Sequence, residues 1–238
     1  MAILSWKKDG EVAIITMSNG ENRHNPDFNR AILGAFDEIE GDEAVSSVVI
    51  TSGDQKNWSQ GIDVEWILGA MNNNEMQSIK DFMYGLNAIF TRILSFPMPV
   101  IASINGHAFG DGAILACACD FRFMKSDRGY FCFPEVDIGI PFLPSMLAIL
   151  RKAIPYHKLE ELVYSGKKAT ADELESAHVI VKACGNAETL LKEAKDFAST
   201  FSKKRSIFEQ HKKRLHKHII EIMKKEDPKF IEPLNLMI

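Results

Sequence analysis

Apolar runs of two kinds divide the chain. Glu11–Met17 (EVAIITM) and Val45–Thr51 (VSSVVIT) are short, rich in Val and Ile, and bounded by Gly, Ser and Asp, which predicts buried strands. Between them Phe28, Ile32, Ala35, Phe36 and Ile39 recur at spacings of three and four. That is one face of a helix, for which Asn25 offers a cap and Pro26 a first-turn residue. A second helix is predicted from Glu75 to Leu94, where Met76, Ile79, Phe82, Met83, Leu86, Ile89, Phe90 and Ile93 make a stripe wide enough for burial on more than one side. Pro99–Asn105 (PVIASIN) reads as a core strand. It feeds a glycine-containing loop, Gly106–Gly112, then a short helix of small residues, Ala113–Cys119, and another strand, Phe121–Met124. Alternation of strand and helix points to the α/β class with largely parallel pairing, because parallel neighbours need helical crossovers. From Pro141 onward the pattern is almost entirely helical, and no repeat of fixed period is found.

The chain's 238 residues fit one large domain, or one domain with a helical appendage. The expected division is a core over residues 1–185 and a helical region over 186–238. A composition of 46% hydrophobic and 25% charged residues excludes disorder and fibrous repeats. A net charge of -4 offers no global cationic field for a phosphate backbone, so a small molecule is a better expected partner than nucleic acid. The cysteines, Cys117, Cys119, Cys132 and Cys184, form no CxxC pair and are too few for a disulfide scaffold, which implies a reducing compartment. Met1–Lys8 contains no apolar stretch, no apolar window suits a membrane span, and Asn235–Ile238 matches no carboxy-terminal address. The expectation is a cytoplasmic protein without membrane contact, an organelle matrix being left open. Residues 203–229 hold ten Lys/Arg against four Asp/Glu, a local +6 that leaves -10 on the rest. That run suits either a solvated helical face or a site for a polyanionic ligand.

Familiar motifs fail. Gly110-Asp111-Gly112-Ala113-Ile114-Leu115 has the first two glycines of GxGxxG, lacks the third small residue, and sets a carboxylate where a pyrophosphate would lie. GxxxxGK[ST], HExxH and GxSxG are absent, and His216 with His218 is not a helical metal pair, so no metal is expected. Two segments are more suggestive. Asn57-Trp58-Ser59-Gln60-Gly61-Ile62-Asp63 follows a strand, and its glycine allows a sharp turn that can aim the next amide into a cleft. Asn105–Gly112 lies between strand and helix, so its free amides sit at a helix N-terminus. Two such amides can make an oxyanion hole; equally, both segments can be plain strand-to-helix turns.

These segments carry a resemblance. Gln60-Gly61-Ile62-Asp63 looks like the pattern S-x-G-x-D, and Asn105–Ala116 followed by Cys119-Asp120 is similar to NGxAxGGGxxLAxxCD. Phe133-Pro134-Glu135-Val136-Asp137-Ile138-Gly139-Ile140 resembles the block F-x-x-P-E-x-x-x-G-x. Blocks in this order resemble the crotonase superfamily, the enoyl-CoA hydratase/isomerase family, over about residues 5 to 185. The resemblance implies a spiral of ββα units, a helical C-terminal trimerisation region, and hence a homotrimer or a dimer of trimers. It implies an acyl-CoA thioester substrate gripped through its carbonyl by the amides of Ile62 and Asp111, with Gly61, Asp63, Gly110, Gly112, Phe133 and Pro134 around the substrate. No separate cofactor is implied, coenzyme A being part of the substrate.

Hydratases of the family carry two catalytic glutamates. Here the first falls on Ile114, whereas the second is retained as Glu135. A lone glutamate is the pattern of the family's 3-enoyl-CoA to 2-enoyl-CoA isomerases, and Met124–Tyr130 resembles an isomerase subgroup. One carboxylate can take the C2 proton and return it to C4, since both carbons lie on one face of the allylic enolate. Flanked by Phe131, Phe133, Ile138 and Ile140, a buried Glu135 should have a raised pKa. Alternatives are hydration, thioester hydrolysis and a non-catalytic acyl-CoA-binding role. The family commonly has glycine where Asp111 stands; a carboxylate facing the pocket would repel a developing enolate unless protonated or turned away. The apolar surface of Leu190, Leu191, Ala194, Phe197, Ala198 and Phe201 suggests a subunit contact, and Lys203, Lys204, Arg205, Lys212, Lys213 and Arg214 are candidates for the phosphates of CoA.

Overall fold

The computed structural model describes residues 2–236; Met1, Met237 and Ile238, read above only for address signals and as the ends of the two regions, lie outside the described residues. A hairpin of β1 (Leu4–Asp9) and β2 (Val12–Met17) opens the fold, and α1 (Pro26–Gly41) follows. Three successive turns of chain then repeat one plan. The first is β3 (Ser47–Ser52), β4 (Asn57–Ser59), α2 (Val64–Asn72) and α3 (Met76–Ser95). The second is β5 (Val100–Ile104), β6 (His107–Phe109) and α4 (Asp111–Ala118). The third is β7 (Phe121–Lys125), β8 (Phe131–Cys132), α5 (Glu135–Ile138), α6 (Pro144–Ala153), α7 (Tyr156–Ser165) and α8 (Ala171–Ser176). A last strand, β9 (Lys182–Cys184), precedes α9 (Ala187–Ala198), α10 (Arg205–Leu215), α11 (Lys217–Lys225) and α12 (Pro228–Ile231).

In each turn the first strand joins a large sheet, ordered β1-β2-β3-β5-β7-β9, and the second joins a small one, ordered β4-β6-β8. Pairing is parallel throughout except between β1 and β2. This is a spiral of ββα units. β2, β3 and β5 sit inside the large sheet, which is why their sequences are continuous apolar runs rather than alternating ones. Asn25 caps α1 as expected, its side chain accepting from the amides of Asp27 and Phe28. α4 is buried on all sides, as its run of Ala, Ile, Leu and Cys requires.

Several expectations are corrected. The loop Gly106–Gly112 contains β6, and α4 begins at Asp111 rather than Ala113. β9 interrupts the region expected to be almost entirely helical, and β1, an edge strand whose side chains are mostly exposed, was not predicted. Leu190, Ala194 and Ala198 do not face outward: they cover one face of the large sheet, formed by Val12, Ile14, Val49, Ile101 and Phe123. Phe197 and Phe201 complete this layer, ring to ring with Phe121. That burial, about 1.5–3 kcal/mol for a large side chain, uses within one chain the apolar surface that had suggested a neighbour.

The last helices are tied to the core by buried polar contacts. The Lys212 Nζ donates to Asp120 at 2.6 Å, and Arg205 donates to the carbonyls of Glu40, Asp42 and Val45. His216 Nδ1 reaches the Leu94 carbonyl at 2.8 Å, and Asp227 accepts from Ser145 and Asn87.

Candidate active site

The C-terminal ends of β4 and β6 deliver two turns that touch. Gly61 adopts φ +74°, and a Cβ there would stand 2.7 Å from the Phe109 carbonyl oxygen and 2.9 Å from the Asp111 amide nitrogen. Only glycine meets both demands. Gly110 stands at φ +53°, ψ -125° as the residue preceding α4. The packing of Gly112 is closer still, since a Cβ there would lie 2.6 Å from the Ser59 carbonyl oxygen. The amides of Ile62 and Asp111 therefore sit on contacting segments, and neither has an acceptor among the described residues. Asp111 is the first residue of α4, so its free N–H belongs to the positive end of the helix.

Glu135 enters from the third turn of the spiral, directly after β8. A Cβ on Gly110 would stand 3.4 Å from Glu135 Oε1, while Oε2 is buried with no hydrogen-bond partner among the described residues. Burial pushes the Glu135 carboxyl up to about 7, against the opposing effect of its own backbone amide. Of the apolar residues expected to flank it, Phe131 and Phe133 are fully buried, but Ile138 is 53% exposed. Ile114 is buried in the core, so no second ionisable group comes from that position.

Of the remaining expected residues, Asp63 caps α2 through the Trp66 amide and also accepts from Asn25. The Pro134 carbonyl accepts from Asp137 and Ile138, forming the turn that carries Glu135. Phe133, expected to contact substrate, instead has no exposed surface and packs edge-on against Phe131 and Phe142, so it seats the turn. Gly112 likewise acts through close packing. Three of the tail cations are corrected as well: Lys212 and Arg205 are spent on the internal contacts described above, and Lys213 pairs with Glu209.

One group at the site was not expected. His24, buried beneath the site, brings Nδ1 to 2.6 Å from Asp111 Oδ2 and Nε2 to 3.0 Å from Ser59 Oγ. Its backbone bridges the Gly61 turn: His24 N–H donates to the Gly61 carbonyl at 2.7 Å, and Asp63 N–H donates to the His24 carbonyl at 2.9 Å. The only signal for it was the oddity of a carboxylate in a glycine turn.

At the other end of α4, Lys152 Nζ donates to the carbonyls of Cys117, Ala118 and Cys119 at 3.2, 3.1 and 2.8 Å. Arg122 Nη1 reaches the carbonyls of Ala116 and Cys119, and its Nε reaches Val179. Burial pushes the Lys152 ammonium down to about 8. Among the described residues no cluster of side chains suits a metal ion, and no helix is long and apolar enough to cross a membrane.

A ββα spiral with paired free amides and a buried carboxylate defines the crotonase class of fold. The chain matches the profile of the enoyl-CoA hydratase/isomerase family over residues 7–228, and it belongs to that family. It is 30% identical over 185 residues to the peroxisomal enoyl-CoA delta isomerase 2 of Arabidopsis thaliana, covering 76% of this chain and 77% of that one. Identity to a short-chain-enoyl-CoA hydratase of Clostridium acetobutylicum is 28%, covering 81% and 72% respectively. The fold superposes on a probable enoyl-CoA hydratase of Mycobacterium tuberculosis with a TM-score of 0.87 at 22% identity, covering 98% of this chain and 96% of that one.

Proposed function

We propose that the protein shifts the double bond of a 3-enoyl-CoA thioester to the 2-position by one-base proton transfer. The observation that carries this reading is Glu135, a buried carboxyl pushed up to about 7 beside two free amides, with apolar Ile114 at the place where the family's hydratases have a second glutamate. Glu135 takes the C2 proton; the electron pair moves into the thioester carbonyl, and the resulting dienolate oxygen accepts from the N–H groups of Ile62 and Asp111. Glu135 then delivers the same proton to C4, and the carbonyl reforms with the double bond between C2 and C3. A pKa near the working pH suits a group that must both accept and release that proton. The name of the Arabidopsis relative supports the same reading.

Hydration is the second reading, and the Clostridium relative's name and the buried, unpartnered Asp111 Oδ1 favour it. Assays with 3-hexenoyl-CoA and 2-hexenoyl-CoA side by side separate the two: isomerisation leaves the mass unchanged, and hydration adds one water. Absence of turnover on both substrates would favour a non-catalytic acyl-CoA binder. For the phosphates of CoA, the exposed cations that remain as candidates are Lys203, Lys204 and Arg214. A trimer or a dimer of trimers is the assembly the family reading favours, and light scattering at micromolar concentration tests it; a stable monomer would sink it.

A further inference from the structure

Ser59 Oγ lies at the centre of a small buried network. It is 2.8 Å from the Asn22 carbonyl, 3.1 Å from the Gly61 amide and 3.0 Å from His24 Nε2. A hydroxyl has one hydrogen, and a carbonyl can only accept, so that hydrogen goes to Asn22. The lone pairs of Ser59 then face Gly61 N–H and His24, which places a hydrogen on Nε2. The other ring nitrogen, Nδ1, stands 2.6 Å from Asp111 Oδ2, and both side chains are buried. If Nδ1 were bare and Asp111 ionised, two lone pairs would meet at that distance with nothing between them. A proton is needed there, on the carboxyl or on the ring. In both arrangements the pair carries zero net charge.

We infer that His24 and Asp111 form a neutral unit, in which His24 is a positioning residue that turns the Asp111 carboxyl away from the amide pair and removes its charge from the enolate's surroundings. The inference rests on the enolate-stabilising reading of the site given above. Asp111 Oδ1 is buried with no partner among the described residues, so without His24 the carboxylate would be an isolated charge one bond network from the Asp111 amide that must hold an anion. His24 also fixes the second amide: its own backbone bridges the Gly61–Asp63 turn, and its ring stacks on Phe28 at 4.2 Å and 16°. One residue thus holds both halves of the hole. With Asp111 held by His24, Glu135 is the carboxyl at the site, among the described residues, whose Oε2 has no hydrogen-bond partner and is free to act as the base.

The test is a double-mutant cycle on 3-hexenoyl-CoA with His24→Leu, Asp111→Gly and the two combined. His24→Leu should lower kcat about 100-fold, with KM within about threefold, because the uncovered charge opposes the transition state and not thioester binding. Adding Asp111→Gly should recover about tenfold or more of that loss, since the charge His24 offsets is then gone. A double variant no faster than His24→Leu, or a His24→Leu protein within about threefold of the parent, overturns the inference. Nitrogen-15 NMR of the histidine-labelled parent decides the matter even where a variant fails to fold. His24 should show a hydrogen on Nε2 and a strongly downfield bridging proton at Nδ1 that disappears in Asp111→Gly; a bare Nδ1 without a bridging proton overturns the pair. If the parent turns over neither hexenoyl substrate, the isomerase reading fails while this resonance still reports on the pair.

Discussion

At its C-terminal end α4 hands its last carbonyls to two cations, the half-buried Lys152 and the buried Arg122; at its N-terminal end the Asp111 amide is left without an acceptor among the described residues. Every helix has such orphan groups at both ends, and burial makes each one costly unless it is paired. The protein closes one end with its own side chains and leaves the other open, the end that the proposed mechanism assigns to the enolate oxygen. Both ends also hold a group whose charge burial opposes, Lys152 on one side and Glu135 on the other. The cation has three carbonyl partners, which hold it in a fixed structural role. Glu135 Oε2 has none, so its proton stays available.

The largest test of this asymmetry is Glu135→Gln, which should lower kcat at least about 1,000-fold while leaving acyl-CoA binding intact, as steady-state kinetics and calorimetry will report. Activity retained within about threefold removes Glu135 from the mechanism. The same variant should gain stability. The carboxyl's pKa is about 7 folded against 4.5 as the ordinary value, so its contribution is fully present below 4.5 and lost as pH rises to 7. Thermal melts at pH 8 should show Glu135→Gln more stable than the parent by about 3 kcal/mol, a difference that shrinks by pH 5.

Lys152→Met is the mirror experiment. It leaves carbonyls unpaired at the closed end and should cost about 2 kcal/mol of stability with kcat per folded molecule unchanged. A large kcat loss without destabilisation would break the comparison. Gly61→Ala attacks the open end: its Cβ meets backbone at 2.7 and 2.9 Å, so kcat/KM should fall about 100-fold as the two turns are forced apart. Next in size, kcat/KM should rise about tenfold per pH unit up to about 7 and level off above it, because the base must be ionised. The smallest effect is expected from Lys203→Ala with Lys204→Ala: KM for CoA thioesters about threefold higher, an increase that salt erases.

What the sequence made legible follows from interaction range. β2, β3 and β5 announce themselves because strands buried on both faces are continuous apolar runs, and α1 because its cap, proline and periodicity coincide. β4, β6 and β8 have two or three residues each, too few to show a period, and exist because the spiral lines them up. Glu135, Ile62 and Asp111 could be named from motif resemblance, but His24 pairs with a residue 87 positions away and leaves no local pattern. The tail misled for the same reason. A lysine that ends buried on Asp120 looks, in sequence, like the solvated lysines beside it.

That tail has a consequence for the order in which the molecule can be completed. His216, Lys212 and Asp227 close the last carbonyls of α3, the Asp120 carboxylate just before β7, and the first amides of α6, partners 82 to 140 residues earlier in the chain. A ribosome therefore exposes α3, Asp120 and α6 well before it makes the residues that satisfy them. The nascent spiral must keep those groups hydrated, and its interior cannot become dry until α10 to α12 arrive. Synthesis of the last helices, rather than of the strands that carry the site, sets the moment at which the core can seal.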